Sequence, residues 1–324
     1  MPTVTTVSIS SAAEIFVALS GYMVGMVYVN KVDGGALILK RAGKLYAWNI
    51  LLFSIAAAFT LASNVSYNLV FRLTPIIIDP FRAVAFFLVL AWGPFLVDIL
   101  HLYIILMLVS PLALWILRRS PVGLVIISIL IYCGFQLGFR IAPEIGGSPN
   151  PIEADRWRFH PLAWQLIFFA PMAAGSVKLH VRLFQMLEQR RLIFWVTLAI
   201  FVGVGVAKAI PNAPHFYLAD RGTLGAIRLL HSLLVLLLYA GLVTLLKDHL
   251  QNPILRALGL IGRHSLNVFI LSSAATFLAV YIWLRLSLGW SGYATLTIGT
   301  VLLVWGAAKY WDNRKVAKIA ATNR

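Results

Sequence analysis

Apolar runs of near-bilayer length recur along the whole chain, separated by short polar or basic stretches. Crossing hydrocarbon as a helix takes about 20 mostly apolar residues. Nine stretches approach that length: 13–29, 46–63, 97–117, 121–139, 161–177, 192–209, 224–246, 265–285 and 290–308. Within each, apolar residues run continuously and do not alternate. Lipid offers the backbone no partners, so such segments must be helices and not barrel strands. The stretch 81–96 (FRAVAFFLVLAWGPFL) is apolar but shorter and closed by Gly93-Pro94, which predicts a re-entrant or interfacial helix. There is no internal repeat, low-complexity tract or soluble linker. The pattern therefore predicts an all-α polytopic transmembrane helical bundle of about nine spans. It forms a single integral-membrane domain over 1–324 that ends in a basic cytoplasmic tail at 310–324.

Composition removes the soluble alternatives. Hydrophobic residues make up 60% of the 324 and charged residues only 12%, too few charges for two water-soluble domains. A net charge of +16 would suggest nucleic acid in a soluble protein. Here the basic residues sit in short loops between apolar runs, where they report topology and attract anionic lipid, so no nucleic-acid partner is expected. One side carries Lys31, Lys40, Arg41, Lys44, Arg118, Arg119, Lys178, Arg182, Arg190, Arg191, Lys247, Arg256, Arg263 and the basic residues of the tail. The other side holds the acidic residues Asp79, Glu144, Glu153, Asp155 and Asp220. The positive side should be cytoplasmic, so the C-terminus is expected inside. Nine spans then place the N-terminus outside. Residues 1–12 lack the basic region of a cleavable signal, and the even alternative is one more helix upstream. The single cysteine, Cys133, lies in an apolar run and reads as packing.

An ionisable group inside a span costs several kcal/mol unless paired or wetted, roughly 2.5–3.5 on insertion scales. Those in this chain are therefore where chemistry is expected. Asp98 and His101 are spaced i, i+3 near the outer end of one span, as are Arg228 and His231 in another, so each pair shares a helix face. A carboxylate beside an imidazole orients the ring as a general base toward a hydroxyl. The bland alternative is a capping Asp with a snorkelling His. Arg228 suits bidentate recognition of a carboxylate, and His231 suits acid–base work or holding an oxyanion. Their alternative is an ion pair to a neighbouring span. Trp164 and Gln165 follow Pro161 at an outer helix end. They would serve a sugar by stacking and amide bonding, or Trp164 would sit in the interfacial aromatic belt. Ser20-Gly21-Tyr22 lies mid-span, where small residues permit close helix approach and Tyr22 would line a channel. Arg263-His264, on the basic side, are candidates for binding the phosphates of a donor cofactor. No Gly-rich phosphate loop, metal-spaced Cys/His cluster or nucleophilic-Ser motif is present.

Five blocks, in order, carry a resemblance: AEIFVALSGYMVGMVY at 13–28, DILHLYIILMLVSP at 98–111, HPLAWQLIFF at 160–169, LGAIRLLH at 224–231 and GRHSLNVF at 262–269. Together they resemble the OpgC family, a branch of the acyltransferase-3 superfamily. The resemblance implies a ten-helix inner-membrane enzyme that transfers a succinyl group from a cytoplasmic acyl-CoA to hydroxyls of a periplasmic glucan. It matches at Asp98, Leu102 and Tyr103, which puts Tyr103 with the substrate-binding candidates. At position 101 the family commonly has Pro where this chain has His101. It also opens with a helix bearing an Arg…Asp…Arg-Gly run and a His central to acyl transfer. This sequence begins after that point, so a chain lacking the first helix is expected, with Glu14 the partner of a basic residue on it. The opposing expectations are a solute or glycan transporter, or an inactive family member acting as a membrane partner.

Overall fold

In a computed structural model, residues 8–62, 65–141, 157–209 and 219–322 are described, and every regular element among them is helical. The chain divides into two compact units. The first comprises 1–46, 89–92 and 98–247, and the second 47–88, 93–97 and 248–324.

The first unit is built around α1 (Ala12–Tyr28) and α9 (Leu166–Ser176). Ser11 caps α1, accepting from the Ala13 backbone N–H, while the Glu14 carboxylate reaches back to the Ser11 N–H at 2.8 Å. This reciprocal capping box fixes where the helix starts. Further along, Gly21 and Gly25 sit one turn apart against the backbone of α9. A Cβ at Gly21 would overlap the Phe168 carbonyl oxygen, one at Gly25 the Met172 carbonyl, and one at Gly175 the Tyr22 carbonyl. Small residues on both helices are what allow this backbone-to-backbone approach. Around this pair stand α6 (Asp98–Arg119), α7 (Pro121–Ile141) and α8 (Pro161–Trp164), followed in sequence by α10 (Leu179–Gln189), α11 (Leu192–Ala209) and α12 (Ala226–Leu245). Of α6's apolar window 61% is buried, against 33% or less in the other long apolar helices, so α6 is interior. The outer faces of α7 and α11 present Ile126, Leu130, Leu137, Trp195 and Val202, as a lipid-facing surface requires.

Helix α2 (Gly34–Ala62) contributes to both units. In the second unit follow α3 (Val65–Phe71), α4 (Thr74–Ile78), α5 (Pro80–Leu88), α13 (Pro253–Arg263), α14 (Ser265–Arg285) and α15 (Trp290–Thr322). Phe71 packs on Phe277 at 4.7 Å, and the Tyr67 hydroxyl donates to the Phe277 carbonyl at 3.1 Å. The apolar stretch expected at 81–96 as a short helix is helical only to Leu88. The expected tail continues as the last turns of α15.

Among the described residues six helices are long and apolar enough to cross a membrane, or up to seven when one bent pair counts as a span. All nine expected segments are helical, but two fall short of a straight, full-length span. The segment at 161–177 breaks at Gln165 and then turns through 86° into α10, with Lys178 in the left-handed region at φ 51°. Helix α1, at 17 residues, is apolar but slightly shorter than those six helices. The protein is thus an all-α, multi-pass membrane protein, and among the described residues the count of nine full spans is not reached.

Candidate functional site

Four helices of the first unit begin near one another in the chain's polar chemistry: α1 after Ser11, α6 at Asp98, α8 at Pro161 and α12 after Gly225. Their first turns carry Glu14, Asp98, Trp164 and Arg228. Glu14 is fully buried, and its Oε1 accepts from Arg228 Nη1 at 2.7 Å. Arg228 is also held from behind, its Nε donating to the Ala219 carbonyl at 2.9 Å. A buried carboxylate with this many donors is stable only as a paired, hydrogen-bonded anion. Asp98 accepts from its own helix at Ile99 N–H (2.9 Å) and pairs with Arg158 at 3.4 Å.

Between these pairs stands Arg221, on the loop 219–225 that leads into α12. That loop is fixed by bonds from two other elements. Tyr132 donates to the Leu224 carbonyl at 2.8 Å, Gln136 to Thr223 at 2.6 Å, the His160 backbone N–H to Gly222 at 2.9 Å and the Trp164 indole N–H to Arg221 at 3.0 Å. The guanidinium lies over the Phe159 ring at 4.9 Å, and its Nε is buried with no hydrogen-bond partner among the described residues. Burial lowers the Arg221 pKa from its ordinary value. Glu14 and Asp98 oppose that shift, while Arg158 and Arg228 add to it. The group stays charged, since a guanidinium does not deprotonate in proteins, and it lies within electrostatic reach of both ion pairs.

His231 follows Arg228 by one turn on α12 and is 5% exposed. Its Nδ1 lies 2.9 Å from Ser10 Oγ, and the Phe201 ring flanks it at 5.7 Å. Lys208, on α11, donates to the Ser8 carbonyl at 2.8 Å and is within electrostatic reach of His231. Among the described residues the site therefore gathers Arg158, Lys208, Arg221 and Arg228 about the carboxylates of Glu14 and Asp98 and the His231 imidazole. Asp220, on the same loop, is exposed and caps Thr223 (N–H 2.7 Å, Oγ1 2.9 Å).

Of the residues singled out from sequence, Asp98, Arg228 and Trp164 meet at Arg221 or its loop, and His231 lies one turn beyond Arg228. Trp164 is completely buried, edge-on to Phe159 at 4.9 Å. That environment makes it a support of the loop and leaves no exposed face for a sugar or a headgroup. Gln165 is 5% exposed and donates to the Ser128 carbonyl at 2.7 Å. Its Oε1 is buried without a hydrogen-bond partner among the described residues, at the wall of an apolar cavity of about 210 Å³ between α6, α7 and α9. His101 is 4% exposed on α6. Tyr103 packs edge-on between Phe16 (5.7 Å) and Phe168 (6.1 Å). Tyr22 lies eight residues beyond Glu14, roughly 12 Å along α1, and its hydroxyl meets His180 Nδ1 at 2.5 Å. Arg263 and His264 belong to the second unit, where both pair with Asp312 at 3.6 and 3.4 Å. Glu144, Glu153 and Asp155 lie outside the described residues.

Sequence reasoning missed Arg158, Lys208, Arg221 and Ser10. Arg158 and Arg221 left a trace, since both are cations in the loops assigned to the acidic side. It also gave Glu14 a partner on an absent helix, and the structure gives it Arg228. Among the described residues no group of His, Cys, Asp and Glu is arranged to hold a metal.

Comparison with curated proteins and with solved structures returns no match. The family model described as OpgC protein matches residues 1–316, nearly the whole chain. The chain therefore belongs to the OpgC family and is a multi-pass membrane protein with an acyltransferase-like function.

Proposed function

We propose that the protein is an inner-membrane O-acyltransferase. It transfers an acyl group, succinyl first among them, from an acyl-CoA such as succinyl-CoA to hydroxyls of a periplasmic glucan. The C-terminus lies in the cytoplasm and the cluster around Arg221 at the periplasmic ends of its helices. One observation carries this reading: His231 Nδ1 already has a hydroxyl, that of Ser10, at 2.9 Å, both buried and within electrostatic reach of Arg228 and Lys208. Acyl transfer to an alcohol needs a base on the hydroxyl and positive charge where the tetrahedral oxyanion develops. His231 supplies the first. Arg221, Arg228 and Lys208 supply the second, reinforced by the positive ends of the helices that begin here.

Arg228 is already engaged by Glu14 and Ala219, so in this proposal its part is the field it creates and the placement of His231 one turn on. Arg221 retains a buried donor without a partner and is the guanidinium assigned to the carboxylate of a dicarboxylic acyl group. The test is acyl transfer by the purified protein in lipid nanodiscs, with succinyl-CoA and a periplasmic glucan fraction, read by mass spectrometry of the glucan. His231→Gln should lower the rate by roughly 10²–10⁴ with folded protein retained, the range of positioned proton transfer. Wild-type transfer rates in that variant, or no transfer by the wild type, would refute the proposal.

A further inference from the structure

Ser10 stands where a nucleophile would. It is 2% exposed, and its Oγ is 2.9 Å from His231 Nδ1 across 221 residues of sequence. Its backbone N–H points at the same nitrogen at a longer 3.4 Å. An N–H can only donate, so Nδ1 must present its lone pair, and a neutral imidazole has one such nitrogen. The proton of the ring is then on Nε2, which is buried with no hydrogen-bond partner among the described residues. It follows that the Ser10 hydroxyl donates to Nδ1, the direction in which a base activates an alcohol. Ser8 Oγ lies 3.3 Å from Ser10 Oγ and completes the hydroxyl's polar contacts.

The neighbouring serine has a different task. Ser11 caps α1, its hydroxyl donating to Glu14 Oε2 at 2.6 Å. Its extended backbone (φ −123°, ψ 176°) lays residues 8–10 away from the helix, and Lys208 holds that strand by the Ser8 carbonyl. Ser10 thus lies just before the positive end of a helix, beside Lys208 and within one turn of Arg228.

Building on the acyl-transfer reading above, we propose that Ser10 carries the acyl group as an ester between donor and acceptor. In the first half-reaction Ser10 Oγ attacks the thioester carbonyl and its proton passes to His231 Nδ1. The C–S bond breaks, and the leaving thiolate takes that proton. In the second, an acceptor hydroxyl attacks the Ser10 ester, giving its proton to Nδ1. The ester C–O bond breaks, and Ser10 Oγ takes the proton back. The sum is thioester plus alcohol to ester plus thiol, with no redox change. Donor and acceptor then need not occupy the site together, and the kinetics are ping-pong.

The full chain in nanodiscs, given succinyl-CoA or acetyl-CoA without glucan and quenched in acid, should carry one acyl group on the peptide containing Ser10. Adding the glucan fraction should discharge it. Ser10→Ala should show no adduct and lose transfer by roughly 10²–10⁴. Folding is controlled by Ser10→Cys in a Cys133→Ser background, where the introduced thiol should be alkylated faster with His231 present than with His231→Gln. Wild-type transfer rates in Ser10→Ala, with His231→Gln impaired, would overturn the ester and leave the acyltransferase reading standing. So would transfer by wild type that never bears an adduct. An adduct without transfer to glucan would uphold Ser10 and overturn the acceptor. Neither adduct nor transfer from either thioester would overturn both.

Discussion

Replacing Glu14 by Gln asks whether the cluster is one built unit. The substitution keeps the volume and leaves an oxygen to cap Ser11, so the helix start is retained. What it removes is the negative charge 2.7 Å from Arg228 Nη1. The Glu14 side chain is completely buried and that of Arg228 only 13% exposed, so water does little to compensate. Removing one partner of a buried pair costs about 3–5 kcal/mol, because the other charge is left uncompensated. Arg228→Met should cost a similar amount, since Glu14 then loses its strongest donor. Joining the two changes gives neither charge, and replacing a buried pair by apolar groups is frequently near neutral. The double variant should therefore be no less stable than either single one, a coupling of about 3 kcal/mol or more. Reversible unfolding in mixed micelles, followed by tryptophan fluorescence, measures all four corners of the cycle. A Glu14→Gln cost below about 1 kcal/mol would refute the pairing as an energetic unit, as would singles whose costs simply add in the double variant.

At the packing level, Gly21→Ala or Gly25→Ala should destabilise by about 1–3 kcal/mol, because the new methyl meets the α9 backbone. Gly134→Ala, with open space at its Cβ, should be neutral or slightly stabilising in the same unfolding assay. Arg221→Lys keeps the charge but loses the planar fork, so succinyl transfer should fall about tenfold or more while acetyl transfer falls less. Equal loss for both acyl groups would make Arg221 structural. Trp164→Phe removes the indole bond to the Arg221 carbonyl, worth about 1 kcal/mol, and should lower succinyl transfer with glucan KM little changed. A large rise in that KM would instead place Trp164 on the acceptor. Reporters fused after Arg324 and inserted within residues 140–160 should report opposite sides of the membrane, and a shared side would overturn the proposed topology.

The helices were legible because continuous apolar runs leave the backbone in lipid no other partner than itself. The bend after Ser176 was not. Its turning residue is Lys178 at positive φ, and neither Gly nor Pro marks it. One face of α1 was equally hidden from hydropathy: Gly21 and Gly25 lie against the α9 backbone, while Leu19, Met23 and Val27 stay exposed on the other side. At the site, the i, i+3 spacing placed Arg228 and His231 on one face, and α12 bears that out. Their partners were beyond reach of any local pattern: Glu14 lies 214 residues from Arg228, and Ser10 lies 221 from His231. For the same reason no nucleophilic-Ser motif is visible, since the serine and its base come from opposite ends of the first unit.

The loop 219–225 shows why these distant residues act together. Among the described residues it is the element through which the other parts of the site meet. Its Arg221 carbonyl takes the Trp164 indole, its Gly222 carbonyl the His160 N–H, and its Thr223 and Leu224 carbonyls the side chains of α7. Each of these bonds uses a backbone oxygen, so the Arg221 side chain is left to the interior. The Ala219 carbonyl, at the same loop's start, holds Arg228. A cation in such a place is costly to keep unless something anionic arrives to offset it. Glu14 and Asp98 offset the neighbouring guanidiniums Arg228 and Arg158, whereas Arg221 keeps a buried Nε with no hydrogen-bond partner among the described residues. In the proposed reaction the acyl carboxylate and the transient oxyanion would be that anion, so Arg221→Gln should leave the resting fold at least as stable while impairing transfer.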